Sequence, residues 1–133
     1  AVINEGLLRY LTFDEKRIVA ENVYSFLKKH GGIWITCDVT PKKFIQSQDK
    51  ALPNFNKNLN NVTSRNNITD RFENIEHIKE FFGNIGFEVS EIHKFSEVKD
   101  ELYSINYHNL VNSNIEQSLD DAIVAVMKIK GEK

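Results

Sequence analysis

The chain alternates between short apolar runs and longer amphipathic stretches, and that spacing predicts a succession of strands and helices. Ala1-Val2-Ile3 is a brief β-branched run, expected as a strand buried on both faces. Polarity and a permissive glycine then arrive together at Asn4-Glu5-Gly6. A second apolar turn, Leu7-Leu8-Arg9-Tyr10-Leu11, leads into Thr12, which stands at capping-box distance from Glu15. Val19, Val23, Phe26 and Leu27 recur as one helical face. Lys28-Lys29-His30 and the pair Gly31-Gly32 supply the stop. Ile33-Trp34-Ile35-Thr36-Cys37 reads as a strand, closed by Asp38.

Beyond Thr40-Pro41 the pattern loosens. Lys42 to Lys50 is a candidate short helix with Phe44 and Ile45 as its apolar contacts, and Ala51 to Asp70 is polar and rich in Asn. We read 41–71 as an insertion, either a lid or a disordered loop. Order returns at Phe72. Ile75, Ile78, Phe82 and Ile85, with Phe81 beside them, predict a helix whose end is bracketed by Gly83 and Gly86. Phe87 to Ile92 alternates as a half-buried strand near an edge. Glu97 to Tyr103 has room for a helical turn or two, and Ser104 to Asn114 reads as a polar connection. Ser118 to Asp121 introduces a continuous strand, Ala122 to Ile129, before the charged tail Lys130-Gly131-Glu132-Lys133. The predicted order is strand, helix, strand, insertion, helix, strand, connection, strand, an α/β pattern.

A strand–helix–strand unit is most easily built as a parallel crossover, which puts the acids after its two strands at one edge of the sheet. Glu5 and Asp38 are those acids, and open α/β sheets bind ligands at the carboxyl ends of their strands. Plainer roles exist for both: Glu5 as a solvated loop residue, Asp38 as a strand-terminal turn former.

Composition narrows the function classes. The 133 residues make one domain, with 41% hydrophobic content for a core. A net charge of −2 points away from nucleic acid and from an anionic membrane surface. Cys37 stands alone, so no disulfide framework and no cysteine-based zinc site is expected, and a reducing, cytoplasmic setting is the default. The four histidines lack ligand spacing, so no metal is indicated. The chain opens inside a strand without a methionine, as a piece of something longer would.

Three segments together carry a resemblance: Glu5-Gly6-Leu7-Leu8-Arg9-Tyr10-Leu11, then Gly31-Gly32-Ile33-Trp34-Ile35-Thr36-Cys37-Asp38, then Gly86-Phe87-Glu88-Val89. With this element order the chain resembles the C-terminal half of a class I S-adenosylmethionine-dependent methyltransferase of the leucine carboxyl methyltransferase and polyketide O-methyltransferase-like group. The resemblance implies a partial Rossmann-like sheet with flanking helices, made of strands equivalent to the family's fourth to seventh. Its last strand would be antiparallel and inserted between its neighbours. It implies S-adenosylmethionine as cofactor, with Glu5, Gly6 and Tyr10 near its methionine portion and Asp38 facing the acceptor pocket. The acceptor would be a small molecule or a carboxylate, and candidates for a base are Asp38, Tyr107 and His108.

The family's glycine-rich cofactor loop and ribose-binding acid have no counterpart here, and no G-x-G occurs anywhere. On this reading the chain supplies half of a cofactor site. The strand at residues 1–4 would then pair with the missing N-terminal half of the fold, a separate chain or a dimer mate. The alternative is a non-catalytic α/β module that keeps this half of the fold as a binding or dimerisation surface.

Overall fold

A computed structural model describes residues 1–63 and 70–131. The chain folds as an α/β layer structure around a four-stranded mixed sheet of order β1-β2-β4-β3, formed by Val2–Asn4 (β1), Trp34–Thr36 (β2), Phe87–Lys94 (β3) and Ile123–Ile129 (β4). β1 and β2 are parallel, and β4 lies between β2 and β3, antiparallel to both. Three strands therefore point one way and the last in sequence points the other.

Helix α1, Phe13–His30, joins β1 to β2, and its capping box forms as the sequence predicts, with Thr12 Oγ1 accepting from Glu15 N–H and Glu15 Oε2 accepting from Thr12 N–H. Of its predicted face, Leu27 is buried and Val19 and Val23 pack against the core, while Phe26 is 53% exposed. Lys16 and Ala20, which the predicted stripe did not include, are buried beside them.

Helix α4, Ile75–Ile85, keeps its predicted stripe, with Ile78, Phe81 and Phe82 buried. The Phe82 ring meets the Trp34 ring edge-on at 5.5 Å, and Trp34 also packs against Phe87 at 5.5 Å. Each such aromatic, taken from water, contributes on the order of 2–3 kcal/mol. Ala125, Met127 and Ile129 complete this core from β4.

β1 is not buried on both faces. Val2 packs against the core, but Ile3 is 72% exposed on the opposite side, beside half-buried Ile35 and Val124. β3 is the edge strand expected, with a bulge at Ser90: Val89 pairs with Met127, and Glu91, two residues on, with Val126. The spacing Phe87, Val89, Ile92 explains it, because the extra residue returns Ile92 to the core face, opposite Ala125.

The segment read as an insertion is largely helical. Lys42–Ala51 (α2) and Phe55–Thr63 (α3) are joined by a 2.9 Å bond from Asn56 Nδ2 to Asp49 Oδ1, and a Pro41–Phe72 bridge closes the base of the excursion. Residues 64–69, the rest of that reading, and the tail residues 132–133 lie outside the described residues. Past β3, a 3₁₀ stretch Phe95–Glu101, a short helix α5 at Tyr103–Tyr107 and a helix α6 at Ser113–Asp121 fill the stretch read mostly as a polar connection. Asn112 caps α6 by accepting from the N–H groups of Asn114 and Ile115, a start signal hidden in a polar run. Among the described residues no helix is long and apolar enough to cross a membrane.

Candidate functional site

The carboxyl ends of the parallel strands β1 and β2 are organised by one side chain. Asp38 follows β2 and is 4% exposed. Its Oδ1 accepts from Gly6 N–H at 2.8 Å, and its Oδ2 from Leu7 N–H at 2.8 Å, Leu8 N–H at 3.0 Å and Asn4 Nδ2 at 2.7 Å. Three successive backbone N–H groups thus converge on one carboxylate, an anion-holding concavity. Gly6 makes the turn possible with φ +68°, a left-handed conformation that side chains resist. The loop closes into a 3₁₀ turn at Leu8–Tyr10 and runs on to the cap of α1.

The other end of Asn4 is equally engaged, its Oδ1 accepting from the Trp34 indole Nε1 at 2.6 Å. Thr36 Oγ1 accepts from Asp38 N–H at 3.1 Å. The turn is therefore tied to the aromatic core by an unbroken polar chain.

Around it sit three cations. Lys16, 1% exposed, donates to the carbonyls of Leu11 and of Asp70, the latter at 2.6 Å, with its Nζ 5.0 Å from the centre of the Phe13 ring. Burial, and then the charge of Arg71, lower its pKa to about 8. Arg71, 2% exposed, donates through Nη1 to Thr40 Oγ1 at 3.3 Å. Burial, followed by repulsion from Arg9, lowers its pKa to about 10. Arg9 is half-buried with its guanidinium carbon 5.9 Å from the centre of the Tyr10 ring. The Cys37 thiol is pushed up by burial and by the nearby carboxylate of Asp38, so it is neutral at physiological pH.

Two adjoining hollows open here. One, of about 160 Å³, is lined by Glu5, Gly6, Arg9, Asp38, Thr40 and Phe44, with Cys37, Phe95 and Ala122 completing it. The other, of about 240 Å³, lies over the exposed sheet face and is lined by Ile3, Ile35, Val124 and the shared residues Glu5, Cys37 and Phe95. Both are smaller than the pocket of about 300 Å³ or more that usually encloses a small ligand.

The structure brings Glu5, Gly6 and Asp38 to one cleft, while Tyr10 lies outside its lining, beside Arg9. Asp38 lines the cleft with both oxygens already engaged by the turn, so it positions the loop. Tyr107 and His108 do not join it: Tyr107 is 68% exposed and stacks on Tyr103 at 5.3 Å, and His108 meets Tyr107 at 5.0 Å. Arg9, Cys37, Thr40, Phe44, Phe95 and Ala122 also line the cleft and were not among the expected site residues. Arg9 carried a signal, as a lone charge inside the apolar run 7–11; the others come from separate parts of the chain.

Among the described residues no group of three or more His, Cys, Asp and Glu side chains could hold a metal ion. Comparison with protein-family models, curated proteins and solved structures finds no match to this chain.

Proposed function

We propose that this chain takes part in S-adenosylmethionine-dependent methyl transfer, namely O-methylation of a small molecule or carboxylate, and supplies part of the cofactor site. The observation that carries the reading is the strand arrangement β1-β2-β4-β3, with only β4 reversed and inserted between its neighbours. That is the arrangement the resemblance calls for in the second half of a Rossmann-like methyltransferase sheet. The convergence of Glu5, Gly6 and Asp38 at the carboxyl ends of β1 and β2 supports it further.

S-adenosylmethionine, when bound, supplies a methyl group on a sulfonium sulfur. The work left to the protein is orientation and exclusion of water. Glu5 is exposed and its carboxylate makes no hydrogen bond among the described residues, so it is available to a cofactor donor. Gly6 lets that donor approach the backbone. Asp38 holds the loop that presents both, and Ile3, Phe95 and Val124 offer an apolar wall beside them. Two hollows of this size fit part of such a cofactor, with the rest contributed along the outer side of β1, which pairs with no strand among the described residues. The lone cysteine, held as a neutral thiol, suits a cytoplasmic protein.

Calorimetric titration of S-adenosylhomocysteine tests the reading, in this chain and in the longest polypeptide of the same gene. Binding that needs the upstream polypeptide and falls with Glu5→Gln supports a shared site. No binding to either folded preparation overturns it. The exposed face of Ile3, Ile35 and Val124 favours the second reading, a non-catalytic binding or dimerisation module, which then becomes the better account.

A further inference from the structure

The cleft at the ends of β1 and β2 holds an imbalance that methyl transfer does not explain. Arg9 lines it, and its Nε and Nη2 are shut away from solvent without a hydrogen-bond partner among the described residues. These two nitrogens form one edge of the guanidinium, the pair of parallel donors that matches the two oxygens of a carboxylate. Burying charged donors without acceptors is costly, and native proteins rarely leave them so.

The surroundings do not supply the missing acceptor. Asp38 is saturated by Gly6, Leu7, Leu8 and Asn4. Glu5 forms no ion pair with Arg9 and stands exposed at the mouth, although its charge and that of Asp38 are still felt at Cys37. Arg71 adds a second positive charge that raises the local potential, and burial keeps Cys37 uncharged. Thr40 accepts from Arg71, which leaves its own hydroxyl proton free to point into the cleft. The remaining walls are apolar: Phe44, Phe95 and Ala122.

We propose that this cleft is a binding site for a small carboxylic acid with an apolar or aromatic body, its carboxylate held by Arg9 and Thr40 and its body lodged against Phe44, Phe95 and Ala122. The incoming anion meets the Nε–Nη2 edge of Arg9, which satisfies two orphaned donors with a bidentate pair and displaces no hydrogen bond of that edge. A space of about 160 Å³ holds roughly five waters at about 30 Å³ each, room for a single ring or a short branched chain beside the carboxylate. The site shares Glu5 and Gly6 with the proposed cofactor site, and its test needs no cofactor, so the two readings can fail separately.

Benzoate is the probe, with benzamide as its neutral analogue, in calorimetric titrations and thermal melts of the purified protein without cofactor. Benzoate is expected to bind saturably and raise the melting midpoint, and benzamide to bind about tenfold more weakly or worse. Arg9→Gln and Arg9→Met should each abolish the benzoate response while melting, without ligand, no lower than the parent. Equal binding of benzoate and benzamide, an unchanged response in Arg9→Gln, or no saturable benzoate binding by the folded protein overturns the proposal. So does a clearly lower midpoint of unliganded Arg9→Met, which would mean that Arg9 already has a partner.

Discussion

Asn4 and Asp38, 34 positions apart in sequence, meet through a 2.7 Å bond from the amide Nδ2 to the carboxylate Oδ2. The same amide accepts from Trp34, whose ring lies at the centre of the core. Cleft and core are consequently one mechanical unit. A ligand that shifts the loop after β1 is felt at the indole, and the indole is the one tryptophan available as a fluorescence reporter.

Removal of the Asp38 carboxylate should therefore unfold more than a loop. Asp38→Ala strands the buried Leu8 N–H and frees Gly6, Leu7 and Asn4 from their acceptor. With charge-assisted bonds each worth roughly 1.5–3 kcal/mol, stability should fall by about 3–5 kcal/mol in urea denaturation followed by Trp34 fluorescence. A loss below about 1 kcal/mol would show that the turn holds without its anion.

Gly86 ends α4 with φ +118°, and a Cβ there would stand 2.6 Å from Tyr24 Cε2. Gly86→Ala combines backbone strain with a steric overlap and should cost about 2 kcal/mol or more. Adding Tyr24→Ala should recover only the overlap, at the expense of the Tyr24–Phe87 edge contact at 5.6 Å. A double-mutant cycle in urea separates the two, and strict additivity would count against the overlap.

Lys16 makes stability depend on pH in the alkaline range. In the folded chain it loses its proton near pH 8, whereas the unfolded chain keeps it until about 10.5. Between these values the unfolded state binds more protons, so this residue's contribution to stability grows as pH rises from 8 towards 10.5. The stability of the parent relative to Lys16→Met should accordingly be greater at pH 9.5 than at pH 7.5. A difference of opposite sign would show that the ammonium is favoured by its carbonyl cage.

The elements that sequence reasoning reached most easily are those whose signal is local. The capping box at Thr12 and Glu15, the glycine stop of α1, the apolar stripe of α4 and the run of β4 depend on residues within a few positions of one another. The bulge at Ser90 departs from the strict alternation expected for Phe87 to Ile92, because the extra residue is what returns Ile92 to the core face. Helix α2 matches the candidate helix at Lys42 to Lys50, whereas α3 and α6 were missed because their propensity is low and their stability comes from packing. Lys43 of α2 and Asp121 of α6, paired at 3.0 Å, are part of that packing.

The amino-acid sequence by itself determined the α/β alternation, the positions of the turns and the placement of acids after two strands, because hydrophobic period, caps and glycines act over short range. Tertiary structure alone decided that Asp38 faces the backbone of the loop after β1 and that Arg9 stands in the cleft with an unmet edge. Those outcomes depend on which side chains meet across 30 or more positions. No periodicity encodes such meetings; they are selected by burial of the shared core and by the need of each buried polar group for a partner.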